Sequence, residues 1–225
     1  MKLREALAHA AAHQPQIAAA RARIAAARAD AAVPRAQQAF AAWHAVPVAD
    51  RAAERARLGL DPHRPTGLVL FGGHGSRAML GIARRLPDVP LILMCGHNQA
   101  LARALAGLPA RAPRHIVGFT PEVTRYMDLA DFFIGKPGPG SLSEAVHMGL
   151  PVITFRNAST MPQERYNTVW LEENQLGKVI ASVSELPGAV DALLSDLPLY
   201  HQHVQQMNNQ AVFEVVDALG AIKSG

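Results

Sequence analysis

The sequence has few of the residues that an extracellular or nucleic-acid-binding protein needs. Its one cysteine, Cys95, excludes an internal disulfide framework and fits a reducing cytoplasm. Aromatic residues are only 5% of the chain and do not alternate with basic runs, so no nucleic-acid partner is expected. No apolar run approaches the roughly 20 residues that span a bilayer. We therefore expect a cytoplasmic protein that meets a membrane, if at all, as a peripheral protein.

Apolar and basic residues are what the chain has in quantity. Its 225 residues are 49% hydrophobic, enough for one buried core with an appendage. The formal net charge of +4 permits acidic partners such as nucleotide phosphates or anionic lipids, without choosing among them.

The first 49 residues differ in composition from the rest. They are rich in alanine, carry scattered arginines and are interrupted by Pro15, Pro34 and Pro47. Alanine and arginine favour helix, but the apolar face is narrow, so these helices need a partner surface. The sequence therefore predicts a helical arm over residues 1–49 and a separate domain over residues 50–225, which opens with a short charged helix from Asp50 to Leu58.

From Thr66 onward, continuous apolar strands alternate with helical patterns. Such alternation predicts an α/β fold, a Rossmann-like, doubly wound parallel sheet with both faces covered, whose ligands bind beyond the carboxyl ends of the strands. The predicted strands are 67–71, 89–94, 115–117, 132–134, 152–155 and 178–180.

The stretch 134–151 is the most informative part of the chain. A buried strand runs into the turn Gly138-Pro139-Gly140, and Ser141 with Glu144 is typical of a capping box that opens a helix. Such a helix N-terminus directs free N–H groups and a positive dipole at one point, which suits a phosphate. The alternative is a well-capped helix with no ligand. A second predicted cap, Thr120 followed by a proline, starts a helix that continues through Met127.

A second glycine turn, Gly72–Ser76, follows the first strand. It lacks the GxGxxG spacing, and Gly135-Lys136-Pro137 is not a Walker A sequence, yet glycines in both turns permit a close approach to a diphosphate. His74 is the candidate for a phosphate contact or a general base, or has no chemical role. Lys136 either faces a phosphate or lies at the loop rim.

Other chemically active side chains form no predicted site. Cys95 and His97 lie at a strand end where neighbouring positions diverge, so a thiol nucleophile is not expected. His201 and His203 have no further ligands nearby in the sequence, so no metal is expected.

Five short motifs follow one another along the chain: Phe71–Ser76, Cys95–Asn98, Val117–Thr120, Gly135–Ser141, and Leu150–Ile153 with Pro162–Asn167. In this order they resemble the C-terminal half of monogalactosyldiacylglycerol-synthase-like glycosyltransferases of family 28, over about residues 50–219. This group also includes the lipid-intermediate transferase of peptidoglycan synthesis. The resemblance implies one half of a GT-B fold that holds a UDP-sugar as donor substrate, without a further cofactor.

The resemblance also implies a role for individual residues. The two glycine turns and the Ser141 hydroxyl would hold the diphosphate, Glu144 the ribose, and Phe119 with its neighbours the uracil. Gln163 and Glu164 would contact the sugar, and Asn167 would support the loop. The implied site is Gly72, Gly73, His74, Gly75, Ser76, Phe119, Thr120, Gly138, Gly140, Ser141, Glu144, Gln163, Glu164 and Asn167.

The expected reaction is transfer of a hexosyl group to a lipid or another hydroxyl acceptor, with release of UDP. In the family, the acceptor site and the general base belong to an N-terminal domain, where this chain has its alanine-rich residues. We therefore expect a partner chain or a second copy to supply them. Two alternatives stay open: a non-catalytic nucleotide-sugar-binding or interaction module, and a hydrolase or epimerase acting on the UDP-sugar alone, with His74 as base.

Overall fold

The computed structural model describes residues 48–207, and in this part of the chain six strands form one fully parallel sheet. The strand order is β3-β2-β1-β4-β5-β6. The strands are β1 Gly67–Leu70, β2 Leu91–Gly96, β3 Arg114–Gly118, β4 Phe132–Gly135, β5 Val152–Phe155 and β6 Gly177–Ile180.

The central strands form because their apolar runs are buried on both faces, as in any sheet covered on two sides. In the register, Val69 of β1 lies between Leu93 of β2 and Ile134 of β4, and all three are fully buried. Gly67 begins β1 where a Cβ atom would lie only 2.6 Å from the ring of Phe132. The glycine therefore leaves room for an aromatic ring in the core.

Helices cover both faces of the sheet. They are α1 Val48–Arg57, α2 Ala78–Arg85, α3 Gln99–Ala106, α4 Val123–Asp128, α5 Pro139–His147, α6 Pro162–Glu173, α7 Leu186–Ser195 and α8 Leu197–Gln206, with a 3₁₀ turn at Val183–Glu185. The buried side chains of α2, α3 and α7 form one apolar cluster with β1, β2, β4 and β5. Helices α5 and α6 pack against β4, β5 and β6 through other side chains.

The strand order reverses its direction at β1. From β1 the chain moves outward through β2 and β3, and then returns to place β4 on the other side of β1. The loops after β1 and β4 therefore diverge and leave a crevice between them, which is where ligands bind in open α/β sheets.

Helix α1 is hydrogen-bonded to the end of the sheet where the strands begin, opposite the crevice. Arg55 donates from Nε to the carbonyl of Leu129 at 2.9 Å and from a terminal nitrogen to Oδ2 of Asp131 at 2.6 Å. The same carboxylate oxygen accepts the N–H of Thr66 at 2.7 Å. Because this buried arginine joins α1 to the residues that precede β1 and β4, the helix is part of the sheet domain.

The predicted α/β doubly wound sheet of six strands is confirmed, with strand ends shifted by one or two residues. The predicted helix over 50–58 is α1, which begins two residues earlier. The predicted arm over residues 1–49 lies outside the described residues except for the start of α1, and so does the part of the predicted domain that follows residue 207.

Two predicted helix starts are wrong. Helix α4 begins at Val123, because the Thr120 hydroxyl accepts the N–H of Glu122 at 3.1 Å and closes a separate turn before the helix. Helix α5 begins at Pro139 with Gly138 as its cap, so Ser141 lies within the first turn and forms no capping box. Proline suits the first helical position because its φ is fixed and no N–H is needed there.

Between residues 48 and 207, no helix combines the length and the apolar character needed to cross a membrane.

Candidate functional site

A cleft of about 400 Å³ opens at the carboxyl edge of the sheet, at the point where the strand order reverses. Its walls come from the ends of β1, β2 and β3, the loop after β4 and the first turns of α5. The lining residues are Leu70, Gly72, Gly73, Met94, Gly96, Gly118, Phe119, Thr120, Val123, Lys136, Gly138, Pro139, Gly140, Ser141 and Glu144. Residues of the two predicted glycine turns and of the motif 117–120 therefore meet in one place.

The loop after β1 is locked against the end of β2. The carbonyl of Gly73 accepts the N–H of His97 at 3.0 Å. Gly96 makes this approach possible, because its φ is +56° and a Cβ atom would lie 2.0 Å from that same carbonyl. Gly72 and Gly73 of this loop line the cleft, whereas His74, Gly75 and Ser76 are not among the lining residues.

The N-terminus of α5 forms the opposite wall. Gly138 is in an extended conformation as the cap, and the residues of the first turn, Pro139, Gly140 and Ser141, all line the cleft. The first backbone N–H groups of a helix have no partner within the helix, so those of Gly140 and Ser141 are available to a ligand. Nothing lies within 4 Å of a Cβ built on Gly140, so the space in front of this turn is open.

Two acidic side chains stand on either side of this turn. Glu144 is exposed in the cleft, one turn into α5, and no partner for its carboxylate is found among residues 48–207. Glu164, in the first turn of α6, lies 3.6 Å from the ammonium group of Lys136, which lines the cleft. The site therefore has one carboxylate ready to accept hydrogen bonds and one engaged by a cation.

An aromatic stack stands on the side of the cleft formed by β2 and β3. The rings of His97 and Phe119 are stacked at 3.9 Å between centroids, with 18° between their planes. The ring of His74 is tilted beside His97 at 5.7 Å. The sequence predicts a base contact for Phe119 and places His97 in the motif 95–98, but nothing local in it indicates that the two rings stack.

The residues predicted from α6 have different surroundings. Asn167 donates from Nδ2 to the carbonyl of Pro137 at 2.8 Å, so it ties α6 to the loop after β4. Gln163 is exposed and contacts the sulfur of Met161. Neither side chain lines the cleft, so a ligand would reach this side by extending past Lys136.

The remaining candidate side chains are engaged elsewhere. Cys95 is fully buried, and burial raises the pKa of its thiol, which disfavours the thiolate that a nucleophile needs. The ring nitrogens of His201 and His203 lie 2.8 and 3.2 Å from the backbone carbonyls of Asp131 and Gln175. In the part of the chain that is described, no three histidine, cysteine or acidic side chains are grouped to hold a metal ion.

Comparison with known proteins gives both a family and a relative. The model of the glycosyltransferase family 28 C-terminal domain matches residues 69–221. The chloroplastic monogalactosyldiacylglycerol synthase of Spinacia oleracea is 30% identical over 181 residues, which are 73% of this chain and 34% of that protein. The chain thus spans about a third of the length of the curated relatives it matches.

Solved structures show the same fold at low sequence identity. MurG of Acinetobacter baumannii superposes with a TM-score of 0.57 and 18% identity, over 81% of this chain and 55% of that one. The C-terminal CMP-Kdo binding domain of WaaA from the same organism gives a TM-score of 0.50 and 8% identity, over 71% of this chain and 96% of that one. The described sheet therefore has the architecture of a GT-B C-terminal domain.

Proposed function

The chain belongs to the family of glycosyltransferase family 28 C-terminal domains, and we propose on this basis that its cleft binds a UDP-hexose as the donor of a glycosyl transfer. Bound there, the donor would lose its hexosyl group to an acceptor hydroxyl and leave as UDP. The main support for this proposal is that the loop after β1 and the N-terminus of α5 converge on the same cleft.

The diphosphate fits between these two walls. The free N–H groups of Gly140 and Ser141, the Ser141 hydroxyl and the α5 dipole all favour a negative charge at this point. Gly72 and Gly73, in the loop after β1, contact the diphosphate through their backbone from the other side of the cleft. Groups fixed in this way also stabilise the charge that grows on the UDP leaving group as the glycosidic bond breaks.

The nucleoside and the sugar then lie on opposite sides of the diphosphate. Glu144 accepts hydrogen bonds from the ribose hydroxyls, because its carboxylate faces the cleft one turn behind the phosphate site. Phe119 and Thr120 hold the uracil. The hexose extends past Lys136 toward α6, where Glu164 and Gln163 contact its hydroxyls.

A lipid hydroxyl at a membrane surface is the acceptor class that the spinach relative supports, since its name describes the galactosylation of diacylglycerol. Because this chain spans about a third of that relative, the acceptor surface and the general base come from a further domain, a partner chain or a second copy. A nucleotide-sugar-binding module without transfer is the second candidate. His74 does not line the cleft, which speaks against a hydrolase or epimerase that uses it as base.

Calorimetric titration of the purified chain with UDP, and with GDP and ADP as controls, tests the donor site. We expect saturable binding of UDP in preference to the purine nucleotides. Equal binding of all three would contradict the uracil assignment, and no binding of any would contradict the donor site. UDP release from UDP-galactose with and without diacylglycerol vesicles then separates the candidates: acceptor-dependent release supports transfer, and binding without release supports the module.

A further inference from the structure

The ring of Phe119 is held on one side only. It is 65% exposed, an unusual position for a large apolar side chain, and it lines the cleft. One face is stacked on His97 at 3.9 Å and 18°. A ring with one face covered and the rest of its surface open to a cleft is suited to stack a flat ligand group.

The backbone of His97 is held firmly enough to act as a support. Its N–H donates to the carbonyl of Gly73 at 3.0 Å, across the close contact that Gly96 permits. The next residue, Asn98, donates from Nδ2 to the carbonyl of His74 at 3.3 Å and caps α3 by accepting the N–H of Leu101 at 2.9 Å. The support is therefore built from β2, from α3 and from the loop that faces the diphosphate.

We propose that His97 is the positioning residue for the nucleobase: its imidazole holds the Phe119 ring so that the free face of that ring stacks on the base of a bound nucleotide. The inference rests on the proposed function, because it assumes that a nucleotide occupies the cleft. An exposed phenylalanine without a neighbouring ring loses conformational entropy when a ligand stacks on it. A ring that is already stacked loses less, so the free energy of binding is more favourable.

The same arrangement joins two parts of the site. The carbonyl of Gly73, in the loop after β1 that we assign to the diphosphate, accepts the N–H of His97. The ring of His97 in turn stacks on the ring of Phe119. Contacts within the protein therefore set the distance between the backbone of this loop and the Phe119 ring.

Two substitutions at one exposed position test the proposal. His97→Leu gives an apolar side chain of similar size without the flat ring, whereas His97→Phe, which is also apolar, keeps a ring that can stack. We expect His97→Leu to weaken UDP binding about 3- to 10-fold, the loss of one aromatic pair, and His97→Phe to stay within about twofold of wild type. Binding of inorganic pyrophosphate, which has no base, should be the same in all three proteins.

The possible results are distinct. Wild-type UDP affinity in His97→Leu would overturn the positioning role while leaving the donor site intact. Equal losses in both variants would overturn stacking as the cause, and so would a parallel loss of pyrophosphate binding, which would indicate a damaged loop. Failure of the wild-type protein to bind UDP would overturn the proposed function and this inference with it.

Discussion

The ammonium group of Lys136 lies 3.6 Å from Oε1 of Glu164, across the rim of the cleft. The lysine side chain is 53% exposed and the glutamate side chain 13%. An ion pair with one partner open to water contributes at most about 1 kcal/mol, so an anionic ligand can compete for the lysine. The pair thus links the proposed diphosphate site to the proposed sugar site.

Lys136→Met should weaken UDP binding about tenfold, because a charge-assisted contact to the diphosphate is lost. Glu164→Gln should leave UDP affinity unchanged or higher but reduce the preference for UDP-hexose over UDP. Both are measured by calorimetric titration. Lys178→Met, which removes a cation placed over the Tyr200 ring and outside the cleft, is the matched control. Equal UDP affinity in Lys136→Met and wild type would contradict the phosphate contact.

Gly140→Leu should weaken UDP binding more than tenfold without lowering stability. The new side chain meets no protein atom near its Cβ and projects into the space assigned to the diphosphate. Replacing a helical glycine also removes an entropic cost of about 0.5–1 kcal/mol. Gly188→Leu is the control, since Gly188 is helical, equally open and outside the cleft. Thermal melting and UDP titration of both variants check this. Unchanged UDP binding in Gly140→Leu would show that the diphosphate does not bind in front of Gly140.

Glu144→Ala should reduce UDP affinity about tenfold, because the ribose hydroxyls lose a charged acceptor. The same substitution should have little effect on binding of 2′,3′-dideoxy-UDP, which lacks those hydroxyls. Glu173→Ala removes an exposed carboxylate at the far end of α6 and serves as the control. An equal loss for both nucleotides would show that Glu144 acts on the site as a whole and not on the ribose.

Asp128 should make stability depend on pH. Burial raises its pKa from 3.8 to about 6, against the opposing charge of Arg51. A raised carboxyl pKa means that the folded state holds the proton more tightly, so this stabilisation is complete below pH 3.8 and is lost as pH rises through about 6. The full shift corresponds to about 3 kcal/mol, which partial exposure reduces to about 1 kcal/mol.

Asp128→Asn should therefore match wild type near pH 4 and exceed it by about 1 kcal/mol at pH 7.5, measured by urea unfolding. A constant difference between Asp128→Asn and wild type at both pH values would show that ionisation of this carboxyl is not the cause.

Most of the secondary structure could be predicted because its signals are local. The apolar runs at 67–71 and 132–134 contain β1 and most of β4, and glycines of the turns that follow line the cleft: Gly72, Gly73, Gly138 and Gly140. Gly149 follows the end of α5 in the left-handed conformation, with φ +77°, which glycine adopts without a steric cost. The predicted start of α5 is wrong because two local signals compete there: Ser141 with Glu144 resembles a capping box, but Pro139 already suits the first helical position.

The sequence by itself determined the alternation of strands and helices, the glycine turns and the family, because these depend on side-chain periodicity, turn chemistry and motif order along the chain. The tertiary structure alone decided which distant residues meet: Lys136 with Glu164, His97 with Phe119, and Arg55 with Asp131. Each contact depends on the order of the strands and on how close two backbones approach. Local sequence does not determine the strand order or the backbone separation, since both result from packing the whole sheet at once.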